Sequence, residues 1–456
     1  MVNHWNDASE QGYASRHSIR HPRLERGILR QAYATTLLGA DNDLAMHGGG
    51  NTSIKTAIAY GGGNEKRALY VKATGTPLGA FLPEHFVAMD LEFLEGIRSG
   101  GALDDEAMAR GFSDHQLAQS GRLPSIESLM HAFIPAKAVD HTHPAAILKI
   151  VNRVGGTELL KECFGGDLAV VPYARMGYDL AMAVSGAALE NSGCKGVVMA
   201  HHGLIVWGEG AREAYDLTIS IVNKAEEFLS SMASLPLSPA VGVVPEDVSV
   251  KNYELIAPIV KECVSQAQLL LSVGDEESRT TQAPSEPHGA NNAGADIDNV
   301  SLSLLNTPDV LELIASPDGK NIICDPPMTP DYPMRFRILP LWANISISAD
   351  PQKIASYIQT AVDKHVDGYK GNLKKHGVAG APAPDLLPRA IVHPQVGVIC
   401  IGQTAAAARM AADFTRQAFS IRRAIAESGG VYESLPEEYI FDMQYRGYQK
   451  AKMEGH

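Results

Sequence analysis

One short stretch, Val139-Asp140-His141-Thr142-His143-Pro144, decides both the fold and the chemistry expected of this chain. It predicts a strand that ends at Pro144, because proline cannot donate a hydrogen bond to a sheet ladder. Side chains alternate between the two faces of a strand, so His141 and His143 point to the same face. Two imidazoles on one strand face form a candidate pair of metal ligands.

A third imidazole stands at the end of another apolar run. Residues 196–200 lead into His201 and His202, and Gly203 lets the backbone turn closely beneath them. If His202 is the third ligand, one coordination position stays open, which is typical of catalytic zinc rather than structural zinc. We expect His201 to point the other way. The competing interpretation is that these are ordinary core or surface residues, since the chain has 16 histidines.

A carboxylate precedes the histidine stretch. Glu127 lies near the start of a helix predicted over 125–133, at a spacing that can bring it to the same cavity. A carboxylate near a metal can act as an acid/base group. The alternative is structural, because a carboxylate in a first helical turn also complements the helix dipole.

Composition limits the class of protein. The chain has 456 residues, enough for two or three domains, and its 45% hydrophobic and 20% charged residues are typical of a globular protein. A net charge of −13 argues against general nucleic-acid binding, which requires a basic surface. An acidic chain can still bind a small phosphorylated substrate through local backbone donors and a metal.

The cellular compartment is inferred from what the sequence lacks. Its five cysteines are scattered and contain no Cys-x-x-Cys pair, so they predict reduced thiols. The first ten residues lack the apolar core of a signal peptide, and no apolar run is long enough to span a membrane. We therefore expect a cytoplasmic protein with no membrane partner.

Apolar periodicity predicts alternating helices and strands. The expected helices include 23–38, 84–97, 145–154, 180–190 and 211–232, and the expected strands include 68–73, 168–171, 195–200 and 204–207. The alternation predicts an α/β class fold in residues 1–235, with a central β-sheet flanked by helices. Residues 236–300 are expected to form a helix and a flexible linker or insertion, with the linker over 272–298. Residues 301–456 are expected to form a smaller α/β C-terminal region.

The order of short motifs resembles the class II aldolase/adducin family. The matching segments are Gly50-Asn51-Thr52-Ser53, Thr74-Gly75, Pro124-Ser125-Ile126-Glu127, His141-Thr142-His143 and His202-Gly203-Leu204. Each motif is weak alone, but the set in this order is specific. The chain further resembles the aldolase part of bifunctional rhamnulose-1-phosphate aldolase/alcohol dehydrogenase proteins, without their dehydrogenase domain.

The resemblance implies roles for individual residues. His141, His143 and His202 are implied to bind Zn2+, and Glu127 is implied to be the catalytic acid/base. The phosphate-binding residues that the resemblance implies are Asn51, Thr74, Gly75 and Ser125. It also implies a homo-oligomer, a tetramer, acting on a small-molecule sugar phosphate.

Two departures from the family pattern concern the substrate. Ile126 occupies a position where related fuculose-phosphate aldolases have a second serine, so one hydroxyl donor to phosphate is absent. Those aldolases also have a tyrosine proton donor in the region that here reads Leu159-Leu160-Lys161-Glu162. The second acid/base residue is therefore unassigned.

These features predict a zinc-dependent aldolase that cleaves a ketose phosphate, such as rhamnulose 1-phosphate. The products would be a ketone of the dihydroxyacetone-phosphate type and an aldehyde, formed through an enediolate whose charge the metal stabilises. A sugar-phosphate 4-epimerase or dehydratase would use the same site. A non-catalytic, adducin-like interaction protein is the alternative from another class. A Schiff base on Lys72 is an alternative mechanism, under which the metal would be optional.

Overall fold

The computed structural model describes residues 1–59, 64–118, 120–191, 193–232, 240–279, 300–335, 339–378 and 386–445, together with 235, 237 and 238. They divide into two units. The described residues of the first unit lie within 1–232 and 430–433, and those of the second within 235–429 and 434–445.

The first unit contains a seven-stranded sheet and nine helices among its described residues. Its strands are β1 (Asn51–Ala59), β2 (Glu65–Lys72), β3 (Phe86–Asp90), β4 (Ala138–Thr142), β5 (Leu168–Val171), β6 (Gly196–Met199) and β7 (Gly203–Gly208). Its helices are α1 (Asp7–Arg20), α2 (Arg26–Leu38), α3 (Leu91–Gly100), α4 (Asp105–Asp114), α5 (Ser128–Phe133), α6 (Ala145–Val151), α7 (Gly156–Phe164), α8 (Tyr178–Glu190) and α9 (Ala211–Ser231). Short 3-10 turns occur at Leu78–Ala80 and Pro83–His85.

Strand β4 lies at the centre of this sheet, whose order is β3-β2-β1-β4-β7-β6-β5. It pairs antiparallel with β1 on one edge and with β7 on the other. In this register, His141 lies opposite Asn51 of β1 and Ile205 of β7. Only the β5–β6 pair is parallel among the described strands of the sheet.

Helices cover both faces of the sheet, as the bonding of two successive residues of β1 demonstrates. The Thr52 hydroxyl bonds the Thr35 hydroxyl of α2 at 2.6 Å, whereas the Ser53 hydroxyl bonds the His131 ring of α5 at 2.7 Å. Successive side chains of a strand point to opposite faces, so α2 and α5 flank the sheet from opposite sides. The predicted fold class, a layered α/β domain with a central sheet flanked by helices, is confirmed.

The apolar stripes of the covering helices form the core. Ile28 and Ala32 of α2 pack with Ile54 of the sheet, while Tyr215 and Val222 of α9 belong to a second buried cluster that includes β6 and β7. Burying each large apolar side chain stabilises the fold by about 1.5–3 kcal/mol.

The second unit is also α/β. Its strands are β8 (Ser301–Leu305), β9 (Leu341–Trp342), β10 (Ala390–His393) and β11 (Gly397–Gly402), in the order β8-β11-β10-β9. Its helices are α10 (Glu246–Arg279), α11 (Pro308–Ala315), α12 (Gly319–Ile323), α13 (Asp331–Arg335), α14 (Pro351–Lys375), α15 (Ala405–Glu427) and α16 (Glu437–Tyr445). The alanine-rich face of α15 packs closely on β11, since a Cβ on Gly402 would lie only 2.3 Å from the Ala408 nitrogen.

Two predicted segments differ from the structure. The helix predicted over 84–97 is a 3-10 turn, strand β3 and then α3. The buried residues 86–89 pair with β2, and the Asp90 carboxylate caps the new helix by accepting hydrogen bonds from the Glu92 and Phe93 amides. The linker predicted over 272–298 overlaps α10 as far as Arg279, and residues 280–298 lie outside the described residues.

Among the described residues, no helix combines the length and apolar character that crossing a bilayer requires.

Candidate metal centre and active site

The three predicted ligand histidines converge at the end of strand β4. His141 is in β4, His143 follows the strand, and His202 lies in the turn between β6 and β7. One ligand atom from each lies within 4.8 Å of those of the others, and the His141 and His143 Nε2 atoms are 3.0 Å apart. All three side chains are buried. The arrangement has the size and donor set of a metal site.

The ring orientation of His141 leaves one nitrogen available for a metal. Its Nδ1 lies 2.9 Å from the Leu204 carbonyl oxygen, which can only accept, so Nδ1 carries the proton. Nε2 therefore presents a lone pair to the cluster, as in metal sites whose histidines are oriented by a backbone carbonyl. Burial lowers the pKa of His141 to about 3, so the ring is neutral near pH 7.

Glu127 faces the same cluster. One carboxylate oxygen is 3.1 Å from His202 Nε2, and the other is 3.6 Å from His141 Nε2. Burial alone would raise the pKa of Glu127, but the surrounding imidazoles hold it well below its usual value. The carboxylate is therefore ionised at neutral pH.

The imidazole and carboxylate groups of this cluster therefore direct lone pairs toward one another. The unprotonated Nε2 of His141 faces His143 Nε2 and the Glu127 carboxylate, and the other carboxylate oxygen faces His202 Nε2. Buried acceptors that converge in this way repel one another unless a cation lies among them. The residues present fit a divalent metal.

Glycine is required where the backbone approaches the cluster. A Cβ on Gly203 would lie 2.4 Å from the Thr142 carbonyl oxygen and 2.7 Å from His143 Cδ2. Gly50 has a φ of +67°, and a Cβ there would lie 2.6 Å from the His141 carbonyl oxygen. A side chain at either position would displace the backbone that carries His141 and His143.

Asn51 connects Glu127 with Ser125. Its side-chain nitrogen donates to Glu127 Oε2 at 2.5 Å and to Ser125 Oγ at 3.1 Å. The Asn51 amide thereby holds the carboxylate oxygen that also faces His141, and the side chains of Asn51, Glu127 and Ser125 are all buried.

Two further residues, His131 and Ser53, belong to this network and were not found by sequence reasoning. Burial lowers the pKa of His131 to about 3, so its ring is neutral. Its Nε2 bonds the Asn51 side-chain oxygen, and its Nδ1 lies 2.7 Å from the Ser53 hydroxyl. Since the amide oxygen only accepts, Nε2 carries the proton and Nδ1 accepts from Ser53. The available signal was spacing, because His131 of α5 is four residues after Glu127, the N-cap of that helix.

Thr74 and Gly75 form a turn beside Ser125. The Thr74 amide donates to the Leu123 carbonyl at 2.9 Å, and the Ser125 amide donates to the Lys72 carbonyl at 3.0 Å. Gly75 has a φ of +76°, which suits glycine. Thr74 is half-buried and Gly75 exposed, so this edge of the site is accessible.

Lys72 holds two turns together. Its buried ammonium group donates to the Thr76 carbonyl at 2.8 Å and to the Gly48 carbonyl at 3.3 Å. These bonds give Lys72 a structural role, as a cation that joins the loop at Gly48 to the loop at Thr76. They do not favour its use as a nucleophile, which requires a free amine lone pair.

His201 is not a member of the three-histidine cluster. Its backbone is left-handed, with a φ of +56°, and its amide donates to the Asn152 side-chain oxygen at 3.2 Å. This conformation turns the chain sharply just before His202.

An α/β domain with a buried three-histidine cluster beside a carboxylate has the residue set that metal-dependent enzymes use. A family model described as "Class II Aldolase and Adducin N-terminal domain" matches residues 30–229. A second, described as "Aldolase class II, second domain", matches residues 286–453. The chain belongs to the class II aldolase and adducin family.

The similar proteins include one curated relative, the uncharacterized oxidoreductase YuxG of Bacillus subtilis (strain 168), which is 26% identical over 433 residues. The match covers 94% of this chain and 58% of the relative, so the chain spans little more than half of that protein's length.

Among solved structures, the N-terminal class II aldolase domain of a conserved protein from Thermoplasma acidophilum is 31% identical, with a TM-score of 0.44. That match covers 50% of this chain and 99% of the other. L-fuculose-1-phosphate aldolase from Thermus thermophilus is 19% identical, with a TM-score of 0.29, and the match covers 44% of this chain and 94% of the other.

The two adjacent histidines provide a matched test of the metal site. We expect His202→Ala to lower the metal affinity of the central site strongly, because it removes one of three ligands. His201→Ala should leave that affinity unchanged. Competition with a chromophoric chelator measures both variants, and full metal affinity in His202→Ala would contradict the assignment.

Proposed function

We propose that this chain is a zinc-dependent aldolase that cleaves a ketose phosphate, such as rhamnulose 1-phosphate. The products are a ketone of the dihydroxyacetone-phosphate type and an aldehyde. The observation that carries the proposal is the contact between Glu127 and the cluster of His141, His143 and His202. A carbon–carbon lyase of this kind needs a cation to stabilise developing negative charge and a base beside it.

The donor set supports zinc as the metal. Imidazole nitrogen is a favoured ligand of zinc, and three neutral imidazoles leave the ion its full positive charge and an open position. Zinc held there supplies Lewis acidity for the negative charge that develops beside a ketone when the carbon–carbon bond breaks.

Glu127 is suited to move the proton. Its carboxylate is ionised and buried, and Asn51 holds one of its oxygens by a hydrogen bond. Oε1 is not held by Asn51 and faces the cluster, 3.1 Å from His202 Nε2, so it is the oxygen placed to exchange a proton with a substrate bound there. A buried carboxylate held in one orientation needs little reorganisation during the reaction.

We assign the phosphate group to the edge formed by Thr74, Gly75 and Ser125. Ser125 accepts its hydrogen bond from Asn51, so its own hydroxyl proton can be donated to an anion. Both amide hydrogens of Asn51 are engaged by Ser125 and Glu127. Asn51 therefore contributes to the predicted phosphate pocket only through its bonds to Ser125 and Glu127. The groups that would donate directly to the phosphate are the hydroxyls of Thr74 and Ser125 and the backbone at Gly75.

The proposal is tested by incubating metal-loaded protein with a panel of ketose 1-phosphates and free ketoses. We expect release of dihydroxyacetone phosphate from a ketose 1-phosphate, loss of activity with a strong chelator, and recovery with zinc. Epimerised or dehydrated products would instead identify the alternative reactions on the same site. Activity that survives chelation, together with borohydride trapping at Lys72, would overturn the metal mechanism.

Substitution of Glu127 separates catalysis from helix stabilisation. Glu127→Gln should lower kcat by about 10²-fold or more, because the amide cannot accept a proton. Its zinc content should be unchanged, since the side chain is not one of the three assigned ligands. Glu10→Gln is a matched control, because Glu10 is also buried in the first unit, where it pairs with Arg26 and Arg30. If Glu127→Gln keeps full turnover, the carboxylate is only structural.

We further expect His131 to act by orienting the Asn51 amide. Both His131→Ala and Asn51→Ala should lower kcat, each by about 10-fold, and the double variant should be no slower than the slower single variant. Residues that act independently would give effects that multiply. His131→Gln should recover part of the rate, since its amide can donate to the Asn51 oxygen. Circular dichroism and zinc content provide the check that each variant is folded.

A further inference from the structure

A second group of metal-ligating side chains lies at the surface of the first unit, outside the site described above. It consists of His17 and His21 of the first helical segment and Glu84 of the 3-10 turn Pro83–His85. One ligand atom from each lies within 4.8 Å of those of the others. We propose that these three residues form a second binding site for a divalent transition cation such as zinc, which connects α1 to this turn.

The spacing of the histidines suits a shared cation. His17 lies in the last turn of α1 and His21 is its C-cap, so the two are four residues apart and face the same side. Two imidazoles and a carboxylate form a donor set that zinc uses in open, three-ligand sites. Donor atoms on a tetrahedral zinc lie about 3.3 Å apart, so only small side-chain rotations are required.

The contacts within the group leave ligand capacity unused. His21 Nε2 is 3.1 Å from Glu84 Oε2, and His17 Nδ1 forms no hydrogen bond to any part of the chain that the structure describes. The His17 ring is held in place by Tyr13, whose ring centroid is 4.3 Å away. A ring oriented in this way loses little freedom when it binds a cation.

The charge states also suit a cation. Burial lowers the pKa of His17, so its ring is neutral near pH 7. Burial would raise the pKa of Glu84, but its own backbone amide and the His21 ring keep it below the usual value, so the carboxylate is ionised. The positive charges of Arg16 and Arg20, on the same helix, disfavour a cation bound at this site, and they also lower the pKa of His17. We therefore expect weaker binding here than at the buried cluster, which has three histidines.

The binding of such a cation has a structural consequence. Helix α1 contacts the body of the domain mainly through Glu10, Tyr13 and Ala14, and most of its last turn is exposed. A cation shared with Glu84 would attach this last turn to a loop more than sixty residues away in sequence. Metal binding would then slow local opening of α1, since a ligand that binds only the closed form stabilises it.

Zinc titration of the metal-free chain tests the proposal independently of any catalytic activity. We expect the unsubstituted chain to bind two zinc ions and His21→Ala to bind one. His141→Ala/His143→Ala, which lacks the central cluster, should also bind one, and adding His21→Ala to it should remove that binding. His4→Ala is the matched control for an exposed histidine near the N-terminus, and it should leave two ions bound.

Hydrogen exchange provides the second measurement. Zinc should slow amide exchange in residues 15–21 of the unsubstituted chain and of His141→Ala/His143→Ala, and it should not do so in His21→Ala. If the unsubstituted chain binds one zinc ion and the His141→Ala/His143→Ala variant binds none, the proposal of a second site is wrong and the proposed function still stands. A chain in which only the α1 site binds zinc would support the inference and refute the metal-dependent function.

Discussion

Strand β4 is hydrogen-bonded along both edges, and the geometry of the histidine cluster depends on that double pairing. The ladders place His141 opposite Asn51 and Ile205, and Thr142 opposite Leu204. A shift of one residue in this register would exchange the two faces of the strand. Asp140 would then face the cluster, and His141 would face α2. The central position of β4 makes such a shift unfavourable, because two ladders and two covering layers would have to change together.

Two buried carboxyl groups on opposite sides of β4, Asp140 and Glu127, have pKa values shifted in opposite directions. Burial raises the pKa of Asp140 to about 7, against the opposing effect of a 2.7 Å hydrogen bond from Gln31. Glu127 is equally buried, but the imidazoles that face it hold its pKa well below the usual value. The two pKa values differ because of the groups beside each carboxyl and not because of how deeply each is buried. Near pH 7 the Glu127 carboxylate is therefore ionised, whereas Asp140 is partly protonated.

Sequence periodicity located most of the elements of the first unit, including the strand 168–171 and the helix that ends at Glu190. It failed where tertiary pairing decided the outcome. Residues 84–97 contain enough apolar residues for a helix, yet Phe86–Asp90 adds an edge strand to β2. Helix α10 was expected only in part, because its last residues are polar and no local signal requires them to be helical. In residues 86–90 local preference was weak, so pairing with β2 determined the structure.

The sequence by itself identified the three candidate ligand histidines and the candidate acid/base carboxylate, from residue type, strand spacing and the resemblance of its motifs to those of the family. It could not determine which groups support them. The bonds from Ser53 to His131, and from His131 to Asn51, join residues about eighty positions apart or across two elements. Only the packing of α5 against β1 brings these side chains together. The same holds for His17, His21 and Glu84, since a helix and a distant turn come within reach only in the folded chain.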